Sequence, residues 1–194
     1  MLMLKGLIMK KIFSVFILMP LLFLSALAAA SYGQDVMRTV TGTVVKISDG
    51  DTIHLNTPEQ TKLKVRLYGI DAPETDKINN HTRRISKTGQ PYGEEAKNAL
   101  ENKIRGRQVK LDILDIDKYR RMVGIVYLGG RNINLEMVKE GYAEAYIEYL
   151  KDPYKKDFLK AEREARLLKK GIWSLSEYER PRDFRKRLKV RGAE

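Results

Sequence analysis

Four carboxylates, Asp49, Asp51, Asp71 and Glu74, stand in a chain otherwise rich in base, at points where alternating apolar patterns break into turns. A hard divalent cation takes several oxygen ligands, and two carboxylates from separate strand ends, with a backbone carbonyl and waters, make such a set. Arg66 lies five residues before Asp71, and Arg121 ends a second charged cluster, Asp115-Ile116-Asp117-Lys118-Tyr119-Arg120-Arg121. The planar fork of an arginine can give two hydrogen bonds to two phosphate oxygens. A cation and two guanidiniums would together neutralise the charge that builds on a phosphate oxygen during attack by water. Glu74 could position or deprotonate that water. Taken singly, each acid reads more simply as a solvated turn residue, Arg66 as strand decoration, and 115–121 as a charged hairpin. The group is more informative than its members.

These residues need a frame that presents turns side by side. Val40, Gly42 and Val44 alternate with Thr41, Thr43 and Val45, and Leu63, Val65 and Leu67 alternate with Lys62, Lys64 and Arg66, so the pattern from Val40 to Leu67 predicts three strands. Asp49-Gly50 is the turn between the first two, and Asn56 to Gln60 separates the second from the third. Residues 76–91 are polar and aperiodic, which predicts a mobile loop. Ala96, Leu100 and Ile104 recur at helical spacing from Gly93 to Arg105, with Glu94 and Glu95 in the first turn and Gly106 as the stop. Val109, Leu111 and Ile113 then predict a fourth strand and Val123 to Tyr127 a fifth, turned by Gly129-Gly130 toward Ile133. Asn134 is the expected cap of a short helix through Lys139. A longer helix follows Pro153, with Phe158, Ala161, Ala165 and Leu168 on one stripe and Gly171 closing it. The basic ending, 180–191, reads as a solvated, partly disordered tail, with a nucleic-acid-gripping arm as the alternative. Three strands, a helix, two strands and then helices is the order expected of a five-stranded OB-fold barrel, an α+β architecture with about three helices that often binds oligonucleotides.

Composition narrows the chemistry. The 194 residues carry 37 Lys and Arg against 25 Asp and Glu, a formal charge of +12, which predicts attraction to polyanions or anionic membranes. No cysteine is present, which excludes a disulfide scaffold, a thiol nucleophile and Cys-rich zinc sites. Only His54 and His81 could offer imidazole, and both read as ordinary surface residues, so a bound metal should be one that prefers oxygen. Lys5, Lys10 and Lys11 precede an apolar run from Ile12 to Ala30, the pattern of a signal peptide over residues 1–30, with Ala26-Leu27-Ala28 and Ala28-Ala29-Ala30 as cleavage sites and Met9 as an alternative start. An uncleaved anchor is the competing reading, since about 20 apolar residues span a bilayer. Cleavage would remove three lysines and no acids, leaving +9 on the mature chain.

Five segments, Ser48-Asp49-Gly50-Asp51-Thr52, Arg66 to Thr75, Tyr92-Gly93-Glu94-Glu95-Ala96, Asp117-Lys118-Tyr119-Arg120-Arg121 and Gly171-Ile172-Trp173-Ser174, resemble the motif series of the staphylococcal nuclease (thermonuclease) family, in the same order. The likeness runs from about Val40 to Ser174, within an expected domain over 38–175, and leaves 176–194 as a basic tail. The resemblance implies a calcium-dependent endonuclease that cuts DNA and RNA, prefers single strands, and leaves 3′-phosphate ends. By the same resemblance, Asp51, Asp71 and the carbonyl of Ala72 would bind Ca2+, with Asp49 an outer acid beside the metal. Glu74 would orient the water, and Arg66 and Arg121 would bind the phosphate in the transition state. Lys118 and Tyr119 would contact a substrate phosphate. Tyr146 would lie near the nucleotide base, a position for which Tyr142 and Tyr149 compete.

The chain departs from the family pattern in three places. Ala72 replaces a threonine common in the family, Arg120 stands where the staphylococcal enzyme has glycine, and the loop between Glu74 and Tyr92 is longer. A secreted, periplasmic or cell-surface monomer is expected. The alternatives are a non-catalytic nucleic-acid-binding module on the same barrel, and a membrane-tethered protein whose basic tail meets anionic lipid. Retention of Asp51, Arg66, Asp71, Glu74 and Arg121 favours the enzyme.

Overall fold

The computed structural model describes residues 35–79 and 81–191; the expected signal peptide lies outside them. Five strands carry the fold: β1 (Arg38–Asp49), β2 (Thr52–Asn56), β3 (Lys62–Leu67), and, after the short pieces named below, β7 (Gln108–Ile116) and β8 (Met122–Leu128). They pair in the order β3-β2-β1-β7-β8 and close when β3 meets β8 in parallel, Arg66 opposite Val123. Closure removes the sheet's free edges. Alternation fixes which face is inside: Val65 and Leu67 are buried while Lys62 and Lys64 face out, and Ile53, Leu55, Leu111 and Ile125 fill the same interior. The five-stranded barrel is therefore as the alternation predicted.

Short strands and helices finish the molecule. β4 (Ile70–Asp71) pairs with β10 (Glu144–Ala145), β5 (Lys77–Ile78) with β6 (Ile85–Lys87), and β9 (Arg131–Asn132) pairs antiparallel with the end of β8. Helix α1 (Gly93–Ile104) buries Ala96, Leu100 and Ile104, α2 (Ile133–Lys139) buries Ile133, Met137 and Val138, and α3 (Lys155–Leu167) buries Phe158, Ala161 and Ala165. Leu168 ends just outside that stripe, 66% exposed.

Three local expectations are corrected. Asn134 is not a cap: Asn132 caps α2 by accepting from the Leu135 N–H at 3.0 Å, while Asn134 is buried inside the helix. Its amide accepts from Val126 N–H and donates to the carbonyls of Tyr68 and Gly124, each at 3.0 Å, so it ties α2 to the middle of β8 and to the residue after β3. Capping preference found the right residue type but the wrong asparagine. Within 76–91, β5 and β6 pair as a short antiparallel ladder, and Asn79 accepts from the His81 and Thr82 N–H groups at 2.9 and 3.0 Å, contacts that periodicity cannot register. The basic ending is a fourth helix, α4 (Pro181–Arg191). Pro181 suits a first helical turn, and Phe184 is buried, so the segment has an apolar anchor within its charge run.

Candidate active site

Asp51, Asp71 and Glu74 reach one place from three turns. Asp51 sits in the β1–β2 turn, which Gly50 lets pass close to the chain: a Cβ there would come within 2.7 Å of Ala72 Cβ and 2.8 Å of Ala96 Cβ. Asp71 ends β4, and its strand partner is Glu144. Glu74 follows Pro73, with its backbone pressed against the start of α1, where a Cβ on Gly93 would lie 2.2 Å from the Glu74 carbonyl oxygen. Glycine is required there by close approach. Gln90 pins the same segment, donating from its N–H to Glu74 O at 2.7 Å and accepting the Glu74 N–H at 3.1 Å.

Arg66 links the two buried acids. Its Nη1 donates to Asp51 Oδ1, and its Nη2 donates to Asp71 Oδ1 at 2.7 Å and to Ile70 O at 3.3 Å. Asp51 Oδ1 also accepts from Thr52 Oγ1 at 3.0 Å, and Oδ2 from the Ala72 N–H at 2.9 Å. Asp51 is 2% exposed and Asp71 is fully buried. Two carboxylates withdrawn from water are costly unless cations face them. Burial pushes the Asp51 carboxyl well above its ordinary range; Arg66 pulls it down, while Asp49 and Asp71 push it further up. Asp49 stands next to this group, accepting the Asp51 N–H at 3.3 Å and lying 3.8 Å from Lys77 Nζ.

Two oxygen acids converging on one cation suit a hard divalent ion, with the Ala72 carbonyl adjacent in sequence. Among the described residues no three His, Asp or Glu side chains form a ready-made cage, so waters or substrate oxygens would have to complete the shell. The loss of a hydroxyl at Ala72 leaves its backbone in place.

The other expected residues form a separate rim. Arg121 pairs with Asp117, Nε to Oδ2 at 2.6 Å, and does not contact the acids. It precedes β8, two residues before Val123, the partner of Arg66, so strand alternation puts both arginines on one side of the sheet. Tyr119 is 67% exposed, with Lys118 Nζ 5.2 Å and the Arg121 guanidinium 5.5 Å from its ring centre. Arg120 has φ of 61°, a left-handed conformation that favours glycine. Tyr146 packs edge-on against Tyr149 at 4.7 Å. Burial raises its phenol's pKa, Asp71 and Tyr149 add to the rise, and Arg185 and Arg66 oppose it; its backbone N–H donates to Gly69 O at 2.9 Å, two residues before Asp71 in the chain. Tyr149 is exposed and Tyr142 packs against the core.

Sequence reasoning missed Arg185 and Glu144. Arg185 on α4 donates to both Asp71 and Glu74. Glu144, buried behind Asp71, takes Arg180 Nη2 at 3.0 Å and the Tyr178 hydroxyl at 3.2 Å. The spacing of Pro181, Phe184, Arg185 and Leu188 on one helical face was the available signal for α4.

Comparison with known proteins agrees with this arrangement. Residues 64–175 match the family described as staphylococcal nuclease homologue. An uncharacterized endonuclease of Haemophilus influenzae is 35% identical over 173 residues, covering 89% of this chain and 85% of the relative. A micrococcal nuclease of Shigella flexneri is 36% identical over 76% of this chain and 82% of its own length. A thermonuclease of Staphylococcus hyicus is 33% identical over 68% of this chain and 74% of its own.

Proposed function

The chain belongs to the staphylococcal nuclease family, and we propose that it is an exported, calcium-dependent endonuclease that hydrolyses phosphodiester bonds of DNA and RNA. The observation that carries the reading is the bridge by which Arg66 holds the buried Asp51 and Asp71 together, with Glu74 joined to Asp71 through Arg185. A purely structural pair would not need two buried acids at adjoining turns, where their mutual repulsion raises cost.

Calcium held by Asp51, Asp71 and the carbonyl of Ala72 would supply positive charge at a phosphate oxygen. Arg66 donates to other phosphate oxygens, and Arg121, held by Asp117, approaches from the same side of the barrel. Glu74 takes a proton from the attacking water as its oxygen bonds to phosphorus. The bond from phosphorus to the 5′ oxygen breaks, and that oxygen takes a proton from solvent to leave as a hydroxyl, while Glu74 returns its proton to solvent. The upstream fragment keeps a 3′-phosphate. Lys118 and Tyr119 hold the neighbouring phosphate, and Tyr146 offers a ring face to a base, a contact that every base can make when unpaired. The hairpin bearing Lys77, Arg83, Arg84 and Lys87 lies next to Glu74 and adds basic wall to the substrate path.

Product ends test the bond that breaks. Digestion of single-stranded DNA and RNA should give fragments whose 5′ ends accept phosphate from polynucleotide kinase without prior phosphatase treatment. Fragments that need phosphatase first would overturn the assignment. Export is tested by amino-terminal sequencing of protein from the culture medium or periplasm, expected to begin close to residue 31.

A further inference from the structure

Helix α4 lies beyond the stretch that matches the family, yet it places a guanidinium among the acids. Arg185 Nη1 donates to Asp71 Oδ1 and to Glu74 Oε1, both at 3.0 Å, and Nη2 donates to Asp71 Oδ2 at 2.8 Å. With Arg66 also on Oδ1, both oxygens of Asp71 are engaged. The helix is built to hold this position: Phe184 is buried, Arg180 pairs with Glu144, Arg182 with Glu148, and Arg187 with Glu179.

Three carboxylates against Arg66 and Arg185 leave one negative charge. A divalent cation ligated by Asp71 needs the lone pairs that Arg185 uses, and with Arg185 in place it would make the cluster positive. The two positive groups compete for the same oxygens.

We propose that Arg185 is a further residue of the active site, one that competes with the divalent cation for Asp71 and Glu74 and so sets the affinity of the site for that cation. The inference rests on the reading of Asp51 and Asp71 as cation ligands. Linkage makes it reciprocal: a cation that displaces Arg185 also loosens α4.

The test is calorimetric titration of calcium into the chain from residue 31 onward, without nucleic acid, for the wild type, Arg185→Ala and Phe184→Ala. Loss of a charge-assisted pair should tighten calcium binding by roughly tenfold or more in Arg185→Ala. Phe184→Ala, which unseats the helix but keeps the guanidinium, should move affinity the same way, and calcium should speed tryptic cleavage within 182–191 of the wild type. Equal or weaker binding in Arg185→Ala, while the wild type binds calcium, would overturn the competition and leave the nuclease reading standing. No binding by either protein would overturn the cation site itself.

Discussion

Asp117 holds Arg121 twice, accepting its guanidinium Nε at 2.6 Å and its backbone N–H at 2.9 Å. Burial pushes the Asp117 carboxyl up, but the Arg121 N–H, its side chain and charge, and the Tyr119 N–H outweigh burial and hold it below its usual range. A depressed acid adds stability above its unfolded pKa and loses it only as pH falls through the folded value, so the grip persists throughout neutral pH. Asp117→Ala should therefore leave the fold intact and lower kcat/KM about tenfold by freeing Arg121, as expected for a lost charge-assisted contact. Steady-state kinetics, with a urea midpoint lowered modestly by loss of the pair and a cooperative transition retained, would bear this out; wild-type kcat/KM would show that Asp117 does not position Arg121 for catalysis.

Glu74 is partly exposed at a turn and its side chain carries no core packing. Glu74→Ala should lower turnover by about 100-fold or more, the range of a lost general base, with substrate affinity nearly kept. Single-turnover cleavage and filter binding separate the two. Turnover equal to the wild type would remove the proposed base.

Asn134 satisfies three buried backbone groups, Val126 N–H and the carbonyls of Tyr68 and Gly124. Asn134→Ala leaves all three without that partner and should cost about 2–4 kcal/mol in urea unfolding, as buried polar losses do. A cost under about 0.5 kcal/mol, the level of ordinary surface changes, would show that water replaces the amide.

Glu144 is raised above its ordinary pKa by burial, against the pull of Arg180 and with help from Asp71 and Glu162. Between its unfolded and folded pKa values the folded chain binds the extra proton, so its contribution to stability falls as pH rises through that window. The stability of Glu144→Gln relative to the wild type should therefore grow from about pH 4.5 upward and then level off. Paired denaturation curves across that range check the sign; a difference that shrinks with pH would contradict it.

The barrel was legible because alternation in 40–67 and 109–127 reports which faces are buried, and the closing β3–β8 contact follows from five strands with no free edge to spare. Arg66, Asp51 and Asp71 were legible as chemistry because acids at turns beside a strand arginine serve poorly as decoration. Arg185 was hidden by its surroundings: Arg182, Lys186, Arg187 and Lys189 make the segment read as solvated, and one phenylalanine at position 184 supplies most of its apolar anchor. Glu144 lies far along the chain from Asp71, and only the pairing of β10 with β4 brings them together. Asn134 was misread because capping preference cannot tell an asparagine at a helix start from one turned into the core.

In the function proposed for this chain, the acids gathered around Arg66 hold a calcium ion that hydrolysis requires. Heat-denatured DNA, incubated with the chain from residue 31 onward, should be cut with calcium present and left whole when a chelator removes it. Cutting that persists in the chelator, or tight binding with no cutting in either condition, would contradict the account, the second by making the barrel a nucleic-acid-binding module.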